Sequence, residues 1–481
     1  MRRTRVSQTL GLPLAPRPTG ETKQAWIYRC IRDAILSGAL QRGDRLPASR
    51  DLAANWGISR GIVELAFEQL VLEGYAESRI GWGTVVTVEL GVASPVNNQR
   101  HRLGSLAEHR PAAQAPVEAA PKSARLVDTS LFAVQVWRRH LNRAMKALTP
   151  ALLAENDPKG YGPLRESIAR YLRITRGIQC ETSQIVVTTG IRHAIDLVSR
   201  TLIGNETAYY VEDPGYKGLT PLLRAVEDRI VYIPTDEEGF SVSDAEPYGR
   251  PGVVYVTPAH QAPLGVTMSI DRRSQLLSWA AARDIWIVED DYDSEFSYGL
   301  SPLPALKAID REDRVIHCGS FNKSLFPSLR IGYMVVPDAI RGRVIEVRSA
   351  AGRSNSIVEQ VALASYINDG DFARHLRSSR DEYMRRRDRL LAELRHALGE
   401  KLRISGEHAG FHFILWLPAE SDEGHLVDCL RRDGVYVEGL NEFARGRRCP
   451  PALVVGYASL RYDRISDTAR CIANALLVSW A

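Results

Sequence analysis

The 481-residue sequence has six cysteines, and no two of them form a CxxC pair. Cys30, Cys180, Cys318, Cys429, Cys449 and Cys471 are too scattered for a zinc-ligand spacing or a dense disulfide framework, so they read as free thiols of a reducing compartment. No metal site is expected. The chain also lacks any run of about 18 apolar residues, which excludes a membrane-spanning helix. Its first stretch, MRRTRVSQTLGLPLAPRP, is basic but holds no apolar segment long enough for an export signal. A cytoplasmic protein without membrane contact is the expectation. There is little net charge (+5), and it is unevenly spread. Residues 1–88 carry 12 Lys+Arg against 8 Asp+Glu, and residues 89–125 carry 5 against 3, which leaves the remainder slightly acidic. The basic excess therefore sits at the front, where a polyanion could be bound.

The length calls for more than one domain, and three sections are visible. Residues 20–88 are compactly patterned. Residues 89–125, ELGVASPVNNQRHRLGSLAEHRPAAQAPVEAAPKSAR, are rich in Ala, Pro, Gln and Arg and contain no aromatic. They lack periodicity and cannot bury a core, so they read as a flexible linker. Residues 126–481 alternate helical stretches with apolar runs: QIVVTT, TAYYVE, RIVYIP, GVVYVT, IWIVED, RVIHCG and IGYMVV. Nearly continuous Val, Ile and Tyr suit strands buried on both faces, so this section predicts an α/β fold around a mainly parallel sheet. The strong helix pattern DEYMRRRDRLLAELRHAL and the strand FHFILWL close it with a smaller α+β subdomain.

In the front section, TKQAWIYRCIRDAILS places Trp26, Ile27, Cys30, Ile31, Ala34 and Ile35 on one helical face, stopped by Gly38. Ser49 can cap a short helix carrying Leu52, Ala53 and Trp56. Gly57 permits a tight turn, and Ser59 can cap a second helix with Ile62, Leu65, Ala66 and Leu70 facing inward. Helix, glycine turn and helix make a helix-turn-helix, with Arg60 exposed at the start of the recognition helix. YAESRIGWGTVVTV adds a β-hairpin wing around Gly81 and Gly83, with Arg79 near its tip. The run RLPASRDLAANWGISRGIVELAFEQLVLEGYAESRIGWGTVV resembles the winged helix-turn-helix domain of GntR-type transcription regulators. The resemblance implies double-stranded operator DNA as partner, with Arg45, Ser49, Arg50, Ser59, Arg60 and Gly81 at the duplex. Arg45 and Arg50 would meet phosphates, while Arg60 and Gly61 approach the bases.

In the back section, chemistry gathers at strand ends. IVVTTG runs straight into IRHAIDLVSR, so the free N–H groups of a helix start lie beside a strand end, a natural phosphate site at Gly190, Ile191 and Arg192. IWIVEDDYDSEF delivers Glu289, Asp290, Asp291 and Tyr292 to the same edge, and VIHCGSF delivers Ser320 and then Lys323. A phosphate site, a carboxylate, a phenol and a lysine on one edge suggest pyridoxal phosphate. The lysine forms a Schiff base, the carboxylate keeps the pyridine nitrogen protonated, and an aromatic such as Tyr216 stacks on the ring.

The stretches KGYGPLRESIARYL, VTTGIRHAIDL, VEDPGYKG, VTPAHQAPLGVTMS, VEDDYDSEF and SFNKSLFPSLRIGY resemble the type I aminotransferase fold. With the front domain they resemble the MocR subgroup of GntR regulators over nearly the whole chain. The resemblance makes Lys323 the Schiff-base lysine, the residue an aminotransferase would use catalytically. It pairs Asp290 with the pyridine nitrogen and Tyr292 with O3′, and stacks Tyr216 on the ring. Ser320, Arg330 and the backbone of Ile191 and Arg192 would hold the phosphate. His260 and Gln261 fall on the loop beside the ring, and Tyr161 would reach a partner subunit's site. It further implies a domain-swapped homodimer on direct or inverted DNA repeats, sensing a small amino compound through an aldimine at Lys323, and so a regulator and not an enzyme. A working aminotransferase with a DNA-binding appendage is the alternative. Two departures bear on that choice. Val454 stands where aminotransferases carry the arginine for a substrate α-carboxylate, and Gly218 stands where the subgroup's γ-aminobutyrate sensor has an arginine. Arg353, Arg445, Arg447 and Arg448 are alternative anion partners, although each reads first as a surface arginine. Asn322 stands where the subgroup often has serine.

Overall fold

The computed structural model describes residues 17–18, 20–79, 81–87, 124–154, 157–202, 204, 207–299, 303–352 and 355–479. Arg353 and all of the linker but its last two residues lie outside them. The chain divides into two units, Met1–Gln114 and Ala115–Ala481.

In the first unit, α1 (Lys23–Leu36), α2 (Ser49–Trp56) and α3 (Arg60–Leu72) pack together, followed by the hairpin β1 (Ala76–Arg79) and β2 (Gly83–Val86). The 3.6-residue spacing of α1 buries Ile27, Cys30, Ile31, Ala34 and Ile35, while Trp26 lies at the edge against Trp56, ring centroids 5.7 Å apart. Gly57 takes the left-handed conformation (φ 62°) that ends α2 and turns the chain into α3. Three expectations need correction. Ser49 is the first residue of α2 and not its cap; Ala48 holds that position, and the Ser49 hydroxyl donates to Glu64 Oε1 at 3.2 Å. Ser59 occupies the cap of α3 but makes no side-chain cap bond. The inward face of α3 is Val63, Ala66, Phe67 and Leu70, whereas Leu65 is 49% exposed and Ile62 only partly covered. Phe67 takes the core position and Leu65 faces outward. The wing gains a third piece: Arg45 bridges Val85, Leu46 N–H donates to Thr84, and Val86 N–H donates to Asp44.

All seven strand expectations of the second unit are found, with one short addition. They are β3 (Ile185–Thr188), β4 (Ala208–Asp213), β5 (Ile230–Asp236), β6 (Gly239–Phe240), β7 (Gly252–Val256), β8 (Ile285–Asp291), β9 (Val315–Ser320) and β10 (Gly332–Val335), in spatial order 3-10-9-8-7-4-5-6. Neighbours from β9 through β8, β7 and β4 to β5 are parallel; β10 runs against both β9 and β3. That reversal brings the start of β10, with Arg330 just before it, to the edge where β3, β8 and β9 end. Gly332 pairs with Thr188 on one side and Ser320 on the other. The helix Ile191–Leu202 lays Ala194, Ile195, Leu197 and Val198 on the sheet among Val186, Val211 and Val288. Each of the larger side chains, Ile195, Leu197 and Val198, contributes roughly 1.5–3 kcal/mol by leaving water.

The smaller part carries β11 (Arg403–Ser405), β12 (His412–Trp416), β13 (Val437–Gly439) and β14 (Ala452–Gly456) in antiparallel order 11-12-14-13. The helices Asp371–Leu398 and Ile465–Ser479 cover them. Ala124 and Arg125, the end of the expected linker, are buried here. Ala124 packs with Val454 and Ile414, and its N–H donates to Glu438 Oε2 at 2.8 Å. Its carbonyl lies on β14 so closely that a Cβ at Gly456 would fall on the oxygen. Gly456→Ala is therefore expected to cost about 1–3 kcal/mol as overpacking. The check is a lowered thermal midpoint, with faster proteolysis near residue 124 than in the parent protein.

None of the six cysteines is in a disulfide. Among the described residues, no helix is long and apolar enough to cross a membrane.

Candidate functional site

At the carboxyl edge of β3, β8 and β9 lies a cavity of about 660 Å³. Thr189, Gly190, Ile191, Arg192, Tyr216, Asp290, Tyr292, Ser320, Lys323 and Arg330 line it, so every cofactor-site residue expected from the sequence meets in one place. Local folding explains the convergence. The helix Ile191–Leu202 begins at the end of β3, aiming its first N–H groups at the cavity. Gly190 (φ 122°) lies against Gly332, where a Cβ would meet Gly190 Cα at 2.9 Å; two glycines let this loop sit on β10. Ser320 ends β9 and caps the short helix Phe321–Ser324, accepting from Asn322 N–H at 3.2 Å, and Lys323 follows within that turn. Asn322 ties the turn to its neighbours: it donates to Thr189 O at 3.2 Å and accepts from Ile331 N–H at 3.0 Å. Arg330 holds a left-handed conformation (φ 55°), and its carbonyl accepts from Asn355 at 2.8 Å.

The pleat of β8 separates its carboxylates. Asp290 faces the cavity, where Tyr255 donates to it at 2.5 Å. Glu289 and Asp291 reach the same edge but turn to the other side of the sheet. There Glu289 bonds His317 at 2.9 Å and Asp291 pairs with Arg176 at 2.7 Å. Burial pushes the Asp290 carboxyl up to about 7, opposed by the Tyr255 bond and reinforced by Asp291 and Asp293. Such a carboxylate gains most from a cationic N–H partner. Burial also pushes the Lys323 amine down to about 8, and the positive charge of Arg125 acts in the same direction. Tyr216 stacks on Tyr255 with centroids 6.3 Å apart and planes at 27°. A Cβ at Gly218 would fall on the Tyr216 ring, so the missing arginine at this position is what lets the ring lie here.

His260 and Gln261 do not line this cavity. His260 bonds Asp293 at 2.8 Å and sits 3.2 Å from the Tyr292 hydroxyl, so it contacts the site through Tyr292. Gln261 is a loop brace, donating to Pro214 O at 2.8 Å and Glu212 at 3.3 Å. Tyr161 packs within its own unit, at the start of the helix Gly162–Arg176. Val454 is fully buried in an apolar cluster. Sequence reasoning missed Tyr255 and Arg125. The alternation of GVVYV could have raised Tyr255; Arg125 sits in a stretch whose composition reads as linker.

An aldehyde–phosphate cofactor suits this donor set. Gly190, Ile191, Arg192, Ser320 and Arg330 would take a phosphate. Asp290 would take a ring N–H, Tyr216 a ring face, and Lys323 the aldehyde carbon.

In the first unit, Ser49 and Arg60 converge on one carboxylate: Arg60 Nε donates to Glu64 Oε1 at 2.7 Å, as does the Ser49 hydroxyl at 3.2 Å. Arg45 and Ser49 line a groove with Glu64 and the wing residues Ser78, Gly83 and Thr84. Arg50, Gly61 and Gly81 are exposed, Gly81 in the left-handed turn of the wing (φ 78°), and Arg79 pairs with Glu77 at the end of β1.

Comparison with known proteins agrees with both units. Residues 23–86 match the family of bacterial regulatory proteins of the gntR type, and residues 126–455 match aminotransferase class I and II. The chain is 33% identical to the probable rhizopine catabolism regulatory protein MocR of Rhizobium meliloti, over 94% of this chain and 93% of that protein. It is 32% identical to the pyridoxine biosynthesis transcriptional regulator PdxR of Corynebacterium glutamicum, over 97% and 98%. Its fold is similar to that of a kynurenine aminotransferase from Pyrococcus horikoshii, with TM-score 0.67 and 27% identity over 75% of this chain and 91% of that one. With a gntR-type helix-turn-helix unit ahead of an aminotransferase class I and II unit, the chain belongs to the MocR-type transcriptional regulators.

Proposed function

We propose that this regulator binds pyridoxal phosphate at Lys323 and uses it to sense an amino-bearing small molecule, changing its hold on operator DNA. The observation that carries the reading is the meeting of Lys323, Asp290, Tyr216 and the Gly190–Arg192 helix start in one cavity. When bound, the cofactor supplies an aldehyde carbon that condenses reversibly with amines. The chain does the rest. Lys323 would be the residue that holds that carbon and yields it to an incoming amine. Asp290 would hold a ring proton, Tyr292 would donate toward O3′, and the phosphate cradle would keep the cofactor seated. Displacement alters what Lys323 contacts, and a ligand that favours one arrangement of the unit over another shifts its population. The front unit reads the DNA through Arg60 and Gly61 at the bases and Arg45 and Arg50 at phosphates, as a homodimer on repeated half-sites.

A working transaminase is the second reading, favoured by the complete lysine, aspartate and tyrosine set. The buried Val454 weighs against it. Pyridoxal phosphate added to the protein should produce a visible absorption band, and an effective amine should change both that band and operator affinity without net conversion of a keto acid. A protein that ignores the cofactor would sink the sensor. Sustained turnover of an amino donor and a keto acid would establish the enzyme.

A further inference from the structure

One cation lining the cavity is not among the residues assigned to the cofactor's phosphate, ring or aldehyde. Arg125 is buried and lines the same cavity as Lys323, Asp290 and Tyr216. Its position is built. Ala124 before it is clamped on β14 by packing with Val454 and by its N–H bond to Glu438. The Arg125 carbonyl accepts from Lys323 Nζ at 2.6 Å. Its guanidinium carbon lies 4.9 Å from the Phe443 ring centroid, within cation–π range. Lys217 lies over the same ring at 4.6 Å, bonding Glu438 at 2.5 Å and Glu442 at 3.2 Å, so the nearby carboxylates are shared with a second cation.

We propose that Arg125 reads an acidic group on the effector, so that the cavity takes an amine at Lys323 and a carboxylate or sulfonate at the guanidinium. The inference rests on the amine-sensing reading and narrows its ligand to amino acids or aminosulfonates. β14 offers only Val454 where an acid-binding arginine would stand. Ala124 packs on that valine, and the charge is displaced to the next residue of the segment lying over the strand. Lys323 Nζ touches the backbone of Arg125 itself, so amine and acid sites are separated by about one side chain. That span suits a small molecule and not a peptide.

The test titrates protein loaded with pyridoxal phosphate with matched amines and reads the change in cofactor absorbance. β-Alanine is set against n-propylamine, and taurine against ethylamine. The parent protein should prefer at least one acid-bearing member by about tenfold or more, as a charge-assisted fork provides. The pair showing that preference tells carboxylate from sulfonate. In Arg125→Gln the preference should fall to within about threefold while the cofactor band persists. Should that variant lose the band, Phe443→Leu, which removes the stacking face, should weaken the preference several-fold. A preference unchanged in either variant, or absent from a parent protein with a normal band, overturns the role of Arg125. A parent protein without any band overturns the cofactor reading and this inference together.

Discussion

Lys323→Ala is expected to abolish the absorption band that pyridoxal phosphate produces with the parent protein, and not merely to weaken it. The phosphate cradle and Asp290 would still collect the cofactor, but among the described residues no other lysine lines the cavity. The pH dependence makes the prediction sharper. An ordinary lysine, with pKa near 10.4, is neutral to roughly one part in a thousand at pH 7.5. The Lys323 amine is pushed down to about 8 by burial first and Arg125 second, against the opposing pull of Asp293, Glu438 and Asp290. Roughly a quarter of it is then neutral, and nucleophilic, at the same pH. The sign is fixed: only the unprotonated amine attacks, so the rate of band formation rises with pH and levels off near 8. A rate still climbing through pH 10 would mean that the lysine is solvated and that the cavity does not enclose it. The band should also survive in Arg60→Ala, which separates loss of the site from loss of the fold.

Arg60→Ala is expected to weaken operator binding by about 10- to 100-fold, as removal of one good base contact does. Arg60 is the first residue of α3, with its side chain 67% exposed, and its partner Glu64 sits one turn on. An exposed, solvent-screened pair of this spacing contributes little, so DNA can take the guanidinium from it at small cost. A mobility-shift titration at two salt concentrations distinguishes the roles. Loss concentrated on the cognate sequence identifies a base contact. Loss equal on all sequences, with a shallower salt slope, identifies a phosphate contact and moves base reading elsewhere on α3. Unchanged affinity would refute this placement of the recognition helix. Arg50→Ala should show the phosphate pattern.

Strand positions were legible because a sheet covered on both faces demands uninterrupted Val, Ile and Tyr. The cofactor site was legible because each of its residues follows such a strand. What escaped depended on side-chain volume and on segments without period. The face of α3 was misjudged because the choice between Leu65 and Phe67 is made by the shape of the space between α1 and the wing. Ser49 escaped the cap assigned to it because a hydroxyl that can cap can equally bond a neighbouring carboxylate, as Ser49 does with Glu64. Arg125 escaped because burial of the chain beside Gly456 is a matter of fit against β14, which composition does not encode.

The reversed strand β10 has a consequence for how the second unit assembles. It inserts between β3 and β9, so the sheet stays split until the last of its strands to be synthesised arrives. Until then β3 and β9 each present an unpaired edge, the kind of surface that recruits other chains. Closing so distant a pairing makes folding slow and nonlocal. A ligand gripped jointly by Gly190, Ser320 and Arg330 spans that seam. Present during refolding, it stabilises only molecules whose seam has closed, and the yield of native protein should rise with its concentration.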